Sequence, residues 1–151
     1  MKEHCNSLRL IHYYPLVDDG ASDRGVYRCG PHYDTGSLTL LLQDRPGLEI
    51  NPMNGAHSAW HPIRDLPPSA ILVNIGDLMA QVSNDRWVST YHRVPIPVDP
   101  IESASSRISI VLFQTLAADF RIESAVCAGE TPKYTPTTQG AHLMQHFDSM
   151  S

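Results

Sequence analysis

Short apolar runs separated by turn residues set the pattern of this chain. Residues 8–14 (LRLIHYY) read as a strand closed by Pro15, and 18–25 form a loop rich in Gly and Asp. Residues 37–43 (SLTLLLQ) are apolar and partly β-branched, with a turn behind them at 44–47. Leu48-Glu49-Ile50 alternates as a half-buried strand does. A turn signal follows at 51–55, and 59–63 is the return strand of that hairpin. The continuous apolar run at 70–75 predicts a buried strand, and Gly76-Asp77 breaks it. Residues 78–82 predict one or two helical turns. Residues 88–94 and 107–115 predict two further strands, the second being the most β-prone segment of the chain. Leu143, Met144 and Phe147, at spacings of three and four behind an N-cap at Thr137 or Thr138, predict an amphipathic C-terminal helix within 137–151. About eight strands with one terminal helix predict an all-β barrel or jelly roll with minor helix.

Composition narrows the class. A chain of 151 residues suits one domain, and 42% hydrophobic with 18% charged residues is a globular balance. Twelve prolines and nine glycines fall between the apolar runs, which suits β structure better than a helical bundle. Eleven basic against sixteen acidic residues leave a net charge of −5, with no run of Lys or Arg. That argues against nucleic acid as a partner, because such affinity is built from clustered cations. No apolar stretch approaches bilayer length, and the start MKEHCNSLRL lacks the core of a signal peptide, so neither membrane nor export is expected. Cys5, Cys29 and Cys127 are odd in number and widely spaced, which predicts no disulfide framework and a cytoplasmic location.

Two constellations carry chemistry. In extended backbone, residues two apart face one side, so His32 and Asp34 of His-Tyr-Asp can reach one point. Imidazole nitrogen plus carboxylate oxygen suits a first-row divalent metal, and His92, on a distant strand, would complete a two-His, one-carboxylate set. With eight histidines and sixteen acids a His-x-Asp pair alone arises by chance, and a satisfied core or surface histidine is its ordinary reading. Arg107 and Ser109 share a strand face among Ile108, Ile110, Val111, Leu112 and Phe113. A guanidinium there is at least partly buried and needs a partner. It is either an internal salt bridge to an acid or a fixed fork for a carboxylate ligand.

The ordered blocks GPHYDTGSLTLLLQDRPGLEI, AILVNIGDLMAQVSNDRWVSTYHRVPIP and RISIVLFQT resemble the catalytic domain of the isopenicillin N synthase-like 2-oxoglutarate/Fe(II) dioxygenases. The resemblance runs from about residue 8 to 115 and continues more weakly in PKYTPTTQGAHLMQHF, within a C-terminal extension at 116–151. It implies a double-stranded β-helix. It implies that His32, Asp34 and His92 ligate Fe(II), that Arg107 and Ser109 hold the distal carboxylate of 2-oxoglutarate, and that Tyr14 of IHYYP contacts the same cosubstrate. It also implies oxidation of a small molecule by dioxygen through hydroxylation, desaturation or ring closure, with release of succinate and CO2.

The chain departs from the family pattern in three ways. His12 stands where relatives more often have Asn, the stretch 97–106 is longer than usual, and the family's N-terminal region is absent, which predicts exposed apolar surface on the barrel. Rival readings are a family oxidase that binds its substrate's carboxylate at Arg107 and Ser109, a cupin-like binding module, and an inactive truncated remnant. His142 and His146, four apart on the predicted helix, lack a third ligand and read as a solvated face; His57 and His61 take no role. Asn74, Asp77 and Asn84 read as turn-satisfying groups, with Ser83, Asn84 and Trp87 as lesser candidates for a substrate mouth. Tyr33 and Thr35 flank the ligands, Phe113 and Phe120 read as core, and Cys29 lies close by without a nucleophile's surroundings.

Overall fold

The computed structural model describes residues 4–16, 26–52, 59–67 and 69–148. The predicted loop at 18–25, the turn residues 53–55 and His57 lie outside them. The strands are β1 (Ser7–Tyr13), β2 (Tyr27–His32), β3 (Leu38–Gln43), β4 (Glu49–Asn51), β5 (His61–Pro62), β6 (Leu72–Ile75), β7 (Tyr91–Pro95), β8 (Arg107–Gln114), β9 (Arg121–Ile122) and β10 (Thr137–Thr138). Three helices, α1 (Asp77–Val82), α2 (Pro100–Ser103) and α3 (Gln139–Asp148), complete the described residues. Two antiparallel four-stranded sheets, ordered β1-β8-β3-β6 and β2-β7-β4-β5, make the double-stranded β-helix; β9 and β10 pair separately.

Most predicted elements form within a few residues of their expected ends. Four elements were not read from the sequence: β2, α2 and the two-residue strands β9 and β10. β2 contains Cys29, Gly30 and Pro31 and so lacks a strand signature. α2 is one short turn whose Asp99 accepts the Ile101 and Glu102 amides.

The first half of β8 reverses the usual alternation. Arg107, Ser109 and Val111 point inward and are buried, while Ile108 and Ile110 are exposed. Leu8 and Leu10 pair with Leu112 and Ile110 on the same outer face and are also exposed. That face continues across the sheet to β6. The expectation of a buried strand at 70–75 is corrected here: β6 is an edge strand and Val73 is 60% exposed, because nothing among the described residues covers the outer face. Exposed apolar surface on the barrel, as the sequence led one to expect, is therefore present.

The C-terminal helix forms, and Thr138 caps it by accepting the Ala141 amide at 3.3 Å. Its buried face is not the predicted one. Gln139 and His142 are buried, whereas Met144 and Phe147 are exposed. His142 is thus no solvated surface group: Nδ1 lies 3.3 Å from Gln81 Nε2 on α1. Ahead of the helix, the turn after α1 ties down the 131–134 segment. Asn84 and Asp85 adopt the left-handed backbone that Asn and Asp tolerate. Asn84 accepts the Lys133 amide and donates to the Thr131 carbonyl, and Asp85 accepts from Lys133 Nζ and the Tyr134 hydroxyl. Ser83 and Trp87 close the same turn, since the Trp87 amide donates to Ser83 Oγ at 3.0 Å.

Candidate active site

His32 ends β2, His92 lies on β7, and the two residues are direct cross-strand partners with ring centroids 4.2 Å apart. Asp34, 5% exposed, follows β2 and turns its Oδ1 toward both rings, 3.7 Å from each Nε2. One ligand atom from each of the three residues lies within 4.8 Å of the others.

Surrounding groups orient each ligand. His32 Nδ1 is 2.8 Å from the Gly30 carbonyl and His92 Nδ1 is 2.9 Å from the Thr90 carbonyl. Nδ1–H must donate in both, so Nε2 is the nitrogen that each ring turns to the centre and, once deprotonated, the one that offers a lone pair there. Asp34 Oδ2 accepts from Thr39 Oγ1 at 2.6 Å and from Asn74 Nδ2 at 2.8 Å, which leaves Oδ1 facing the imidazoles. Asn74 is therefore a carboxylate-orienting residue and not, as expected, a turn-satisfying one. The main-chain amide of Asp77 donates to the Asp34 carbonyl at 2.7 Å. A Cβ at Gly76 would strike the carbonyl oxygens of Gly36 and Asp34, so this crossing needs glycine. The neighbouring Cys29 sulfur, 3.8 Å from Nδ1, pushes His32 up to about 9, whereas burial pushes His92 down.

Arg107, 3% exposed, is held without an acid. Its Nη2 donates to Gln43 Oε1 at 2.8 Å and its Nε to the Arg45 carbonyl at 3.1 Å. Among the described residues Nη1 has no hydrogen-bond partner, and neither does the Oγ of Ser109, which is 1% exposed. The salt-bridge reading of Arg107 fails on this point. Gly47, at φ 143°, packs so close that a Cβ there would lie 3.1 Å from Arg107 Cδ and Nε.

Two orphaned donors, one on a buried cation, fit a carboxylate that the chain does not itself supply. Two imidazole nitrogens with one carboxylate fit a divalent first-row metal. Residues 5–115 match the family profile described as the 2OG-Fe(II) oxygenase superfamily. The chain belongs to that superfamily. It is 36% identical over 136 residues to the 2-oxoglutarate-Fe(II) type oxidoreductase ppzD of Metarhizium majus, covering 87% of this chain and 38% of the relative. It is 32% identical over 150 residues to the 2-oxoglutarate-dependent dioxygenase htyE of Aspergillus rugulosus, covering 94% and 43%. Among solved structures, a full-length Neurospora crassa protein in complex with alpha-KG and thymine superposes with a TM-score of 0.85 at 31% identity, over 98% of this chain and 45% of that one. The chain thus spans less than half the length of these superfamily members.

Of the two neighbouring tyrosines, it is Tyr13 and not Tyr14 that faces Arg107. Tyr14 is 68% exposed and stacks on His12, 4.3 Å between ring centroids, whereas Tyr13 pairs with Arg107 across the ladder. The Tyr13 ring centroid lies 4.9 Å from the guanidinium carbon. Strand alternation separates the two, putting Tyr13 inward and Tyr14 outward. Burial pushes the Tyr13 phenol up, against the lowering effect of Arg107. Sequence reasoning also missed Thr39 and Gln43. Their signal was present: they are the polar positions of an apolar strand, four residues apart and so on one face.

The remaining candidates take structural places. Tyr33 stacks on Tyr91 at 4.7 Å, Arg9 lies over Phe113, and Phe120 is largely exposed. All three cysteines are free. A cleft of about 530 Å³ borders the site at Arg107, and its walls also include Arg28, Gly47, Glu49 and Arg93, but none of the three metal-ligand candidates.

Proposed function

We propose that this chain is the catalytic domain of an Fe(II)- and 2-oxoglutarate-dependent dioxygenase acting on a small molecule, with a core at about 8–115. The carrying observation is the Asp34 carboxylate. One oxygen is saturated by Thr39 and Asn74, and the other is aimed between two histidine Nε2 lone pairs. His32, Asp34 and His92 would hold the iron, and three protein ligands leave the other positions to cosubstrate and dioxygen. When bound, iron and 2-oxoglutarate together supply dioxygen activation, with succinate and CO2 as the cosubstrate's products.

The chain's own residues bind and orient. Arg107 and Ser109 offer their orphaned donors to the distal carboxylate of 2-oxoglutarate, and Tyr13 walls the same place. The backbone acceptors of Gly30 and Thr90 keep the Nδ1 protons away from the metal side. No helix among the described residues is long and apolar enough to cross a membrane, and free cysteines, two of them exposed, support a reducing cytoplasm.

Anaerobic addition of Fe(II) and 2-oxoglutarate should give a weak visible charge-transfer band, and air should then release succinate. The band should vanish in Asp34→Ala and His92→Ala. A wild-type chain that binds Fe(II) yet shows neither band nor succinate would refute this reading.

A further inference from the structure

Five arginines line the cleft beside the site: Arg28, Arg45, Arg64, Arg93 and Arg107. Arg64 is paired with Glu102 at 2.9 Å and Arg93 with Glu49 at 2.7 Å. Arg45 is exposed, whereas Arg28 and Arg107 are at least partly buried and held otherwise. Among the described residues their hydrogen bonds go to neutral oxygens, Arg28 Nη2 to the Tyr14 carbonyl at 3.2 Å and Arg107 to Gln43 and the Arg45 carbonyl. Each also keeps one buried N–H without a partner, Nε of Arg28 and Nη1 of Arg107.

The backbone of β2 accounts for the position of Arg28. Tyr27 pairs with Pro95 and Cys29 with Val94, so β2 carries one more residue than β7 between these pairs. Arg28 is that bulged residue, and a bulge re-aims side chains that strict alternation would send elsewhere. Cys29 thereby meets His32, and Arg28 enters the cleft with Arg107. Burial pushes both guanidiniums down from their ordinary range; on Arg107 the Tyr13 phenol and the Asp44 carboxylate act upward, and the smaller effect of the Arg28 charge acts downward. Two cations that share a cleft without an ion-pair partner among the described residues repel until an anion joins them.

We propose that Arg28 is a second guanidinium of the 2-oxoglutarate seat, so that the distal carboxylate binds between Arg28 and Arg107 and not on Arg107 and Ser109 alone. This rests on the proposed use of 2-oxoglutarate. It makes Arg28 a determinant of selectivity for a dicarboxylate over a monocarboxylate 2-oxoacid, and it assigns Arg28 no part in holding the metal.

The test is calorimetric titration of the Mn(II)-loaded chain with 2-oxoglutarate and with 2-oxovalerate, which carries a methyl group in place of the distal carboxylate. Arg28→Gln should raise the Kd for 2-oxoglutarate about tenfold or more and leave that for 2-oxovalerate within about twofold. Arg28→Lys, which keeps the charge and loses the fork, should weaken 2-oxoglutarate by at least about threefold, and it decides the matter if the glutamine variant does not fold. An unchanged 2-oxoglutarate Kd overturns the proposal, as does an equal loss for both acids, which would mean only that β2 had shifted. Arg107→Gln separates the two levels. If it too leaves the preference for 2-oxoglutarate intact, the cosubstrate seat is wrong; if it abolishes the preference while Arg28→Gln keeps it, Arg28 alone is wrongly assigned.

Discussion

His32 and His92 face one another across the β2–β7 ladder, and each gives its Nδ1 proton to the carbonyl two residues earlier in its own chain segment, Gly30 and Thr90 respectively. The two rings are fixed by the same local device on neighbouring strands. Both donor lone pairs are therefore set by backbone, which side-chain substitution cannot easily disturb. Asp34 differs, because two side chains from the opposite sheet orient it.

That difference makes the carboxylate the vulnerable ligand. Thr39→Val and Asn74→Ala should each weaken divalent-metal affinity about 10–100-fold while leaving the far-ultraviolet circular dichroism unchanged. Mn(II) titration followed by electron paramagnetic resonance measures this. Native affinity in both variants would show that Asp34 needs no such support.

Gly47 offers a way to disturb the anion seat without touching a metal ligand. A valine there combines an unfavourable φ with a Cβ pressed on Arg107 Cδ and Nε. Gly47→Val should raise the Kd for 2-oxoglutarate at least about tenfold, in line with losing one charged hydrogen bond, and leave Mn(II) binding intact. Arg107→Ala should do the same or more. Parallel loss of metal and cosubstrate binding in Gly47→Val would mean instead that the 44–48 turn supports the whole barrel.

The Asp85–Tyr134 hydrogen bond, 2.6 Å long, sets a pH dependence of stability. It raises the Tyr134 phenol to about 12 and, with Lys133, holds Asp85 below the usual carboxylate range. A raised folded-state pKa gives stability that is complete below the ordinary tyrosine value and is lost as pH climbs through the folded one. The depressed Asp85 gives stability that is present above its ordinary value and is lost as pH falls through the folded one. Thermal unfolding should therefore show a fall in Tm between pH 10 and about 12 that is shallower in Tyr134→Phe. Identical alkaline slopes for both chains would remove this bond from the stability of the C-terminal segment.

The uncovered face of the β1-β8-β3-β6 sheet should bind a hydrophobic dye and drive self-association. Leu8→Lys with Leu10→Lys should reduce both, measured by dye fluorescence and light scattering, at unchanged Mn(II) affinity. Dye binding equal to that of the native chain would show that this surface is not what the dye sees.

The sequence disclosed the site better than it disclosed the packing. His32, Asp34, His92, Arg107 and Ser109 stood in ordered blocks, and i, i+2 spacing was enough to pair His32 with Asp34 and Arg107 with Ser109. What stayed hidden depended on strands meeting across space. Whether Tyr13 or Tyr14 faces Arg107 follows from the β1–β8 register. Whether 70–75 is covered depends on its place at a sheet edge. His142 takes a place on the buried face of α3, where α1 offers Gln81, and periodicity cannot express that contact.

The reversed alternation of β8 has an evolutionary cost. By hydrophobicity alone this strand would prefer to shift by one residue, bringing Ile108 and Ile110 indoors and expelling the guanidinium and hydroxyl into water. Only its two neighbours forbid the slip, β1 through Ser7–Tyr13 and β3 through Leu38–Gln43. Variation in those flanking strands is thus constrained by the aim of Arg107 and Ser109, and a change that loosens either ladder would turn that pair outward before it unfolds the protein.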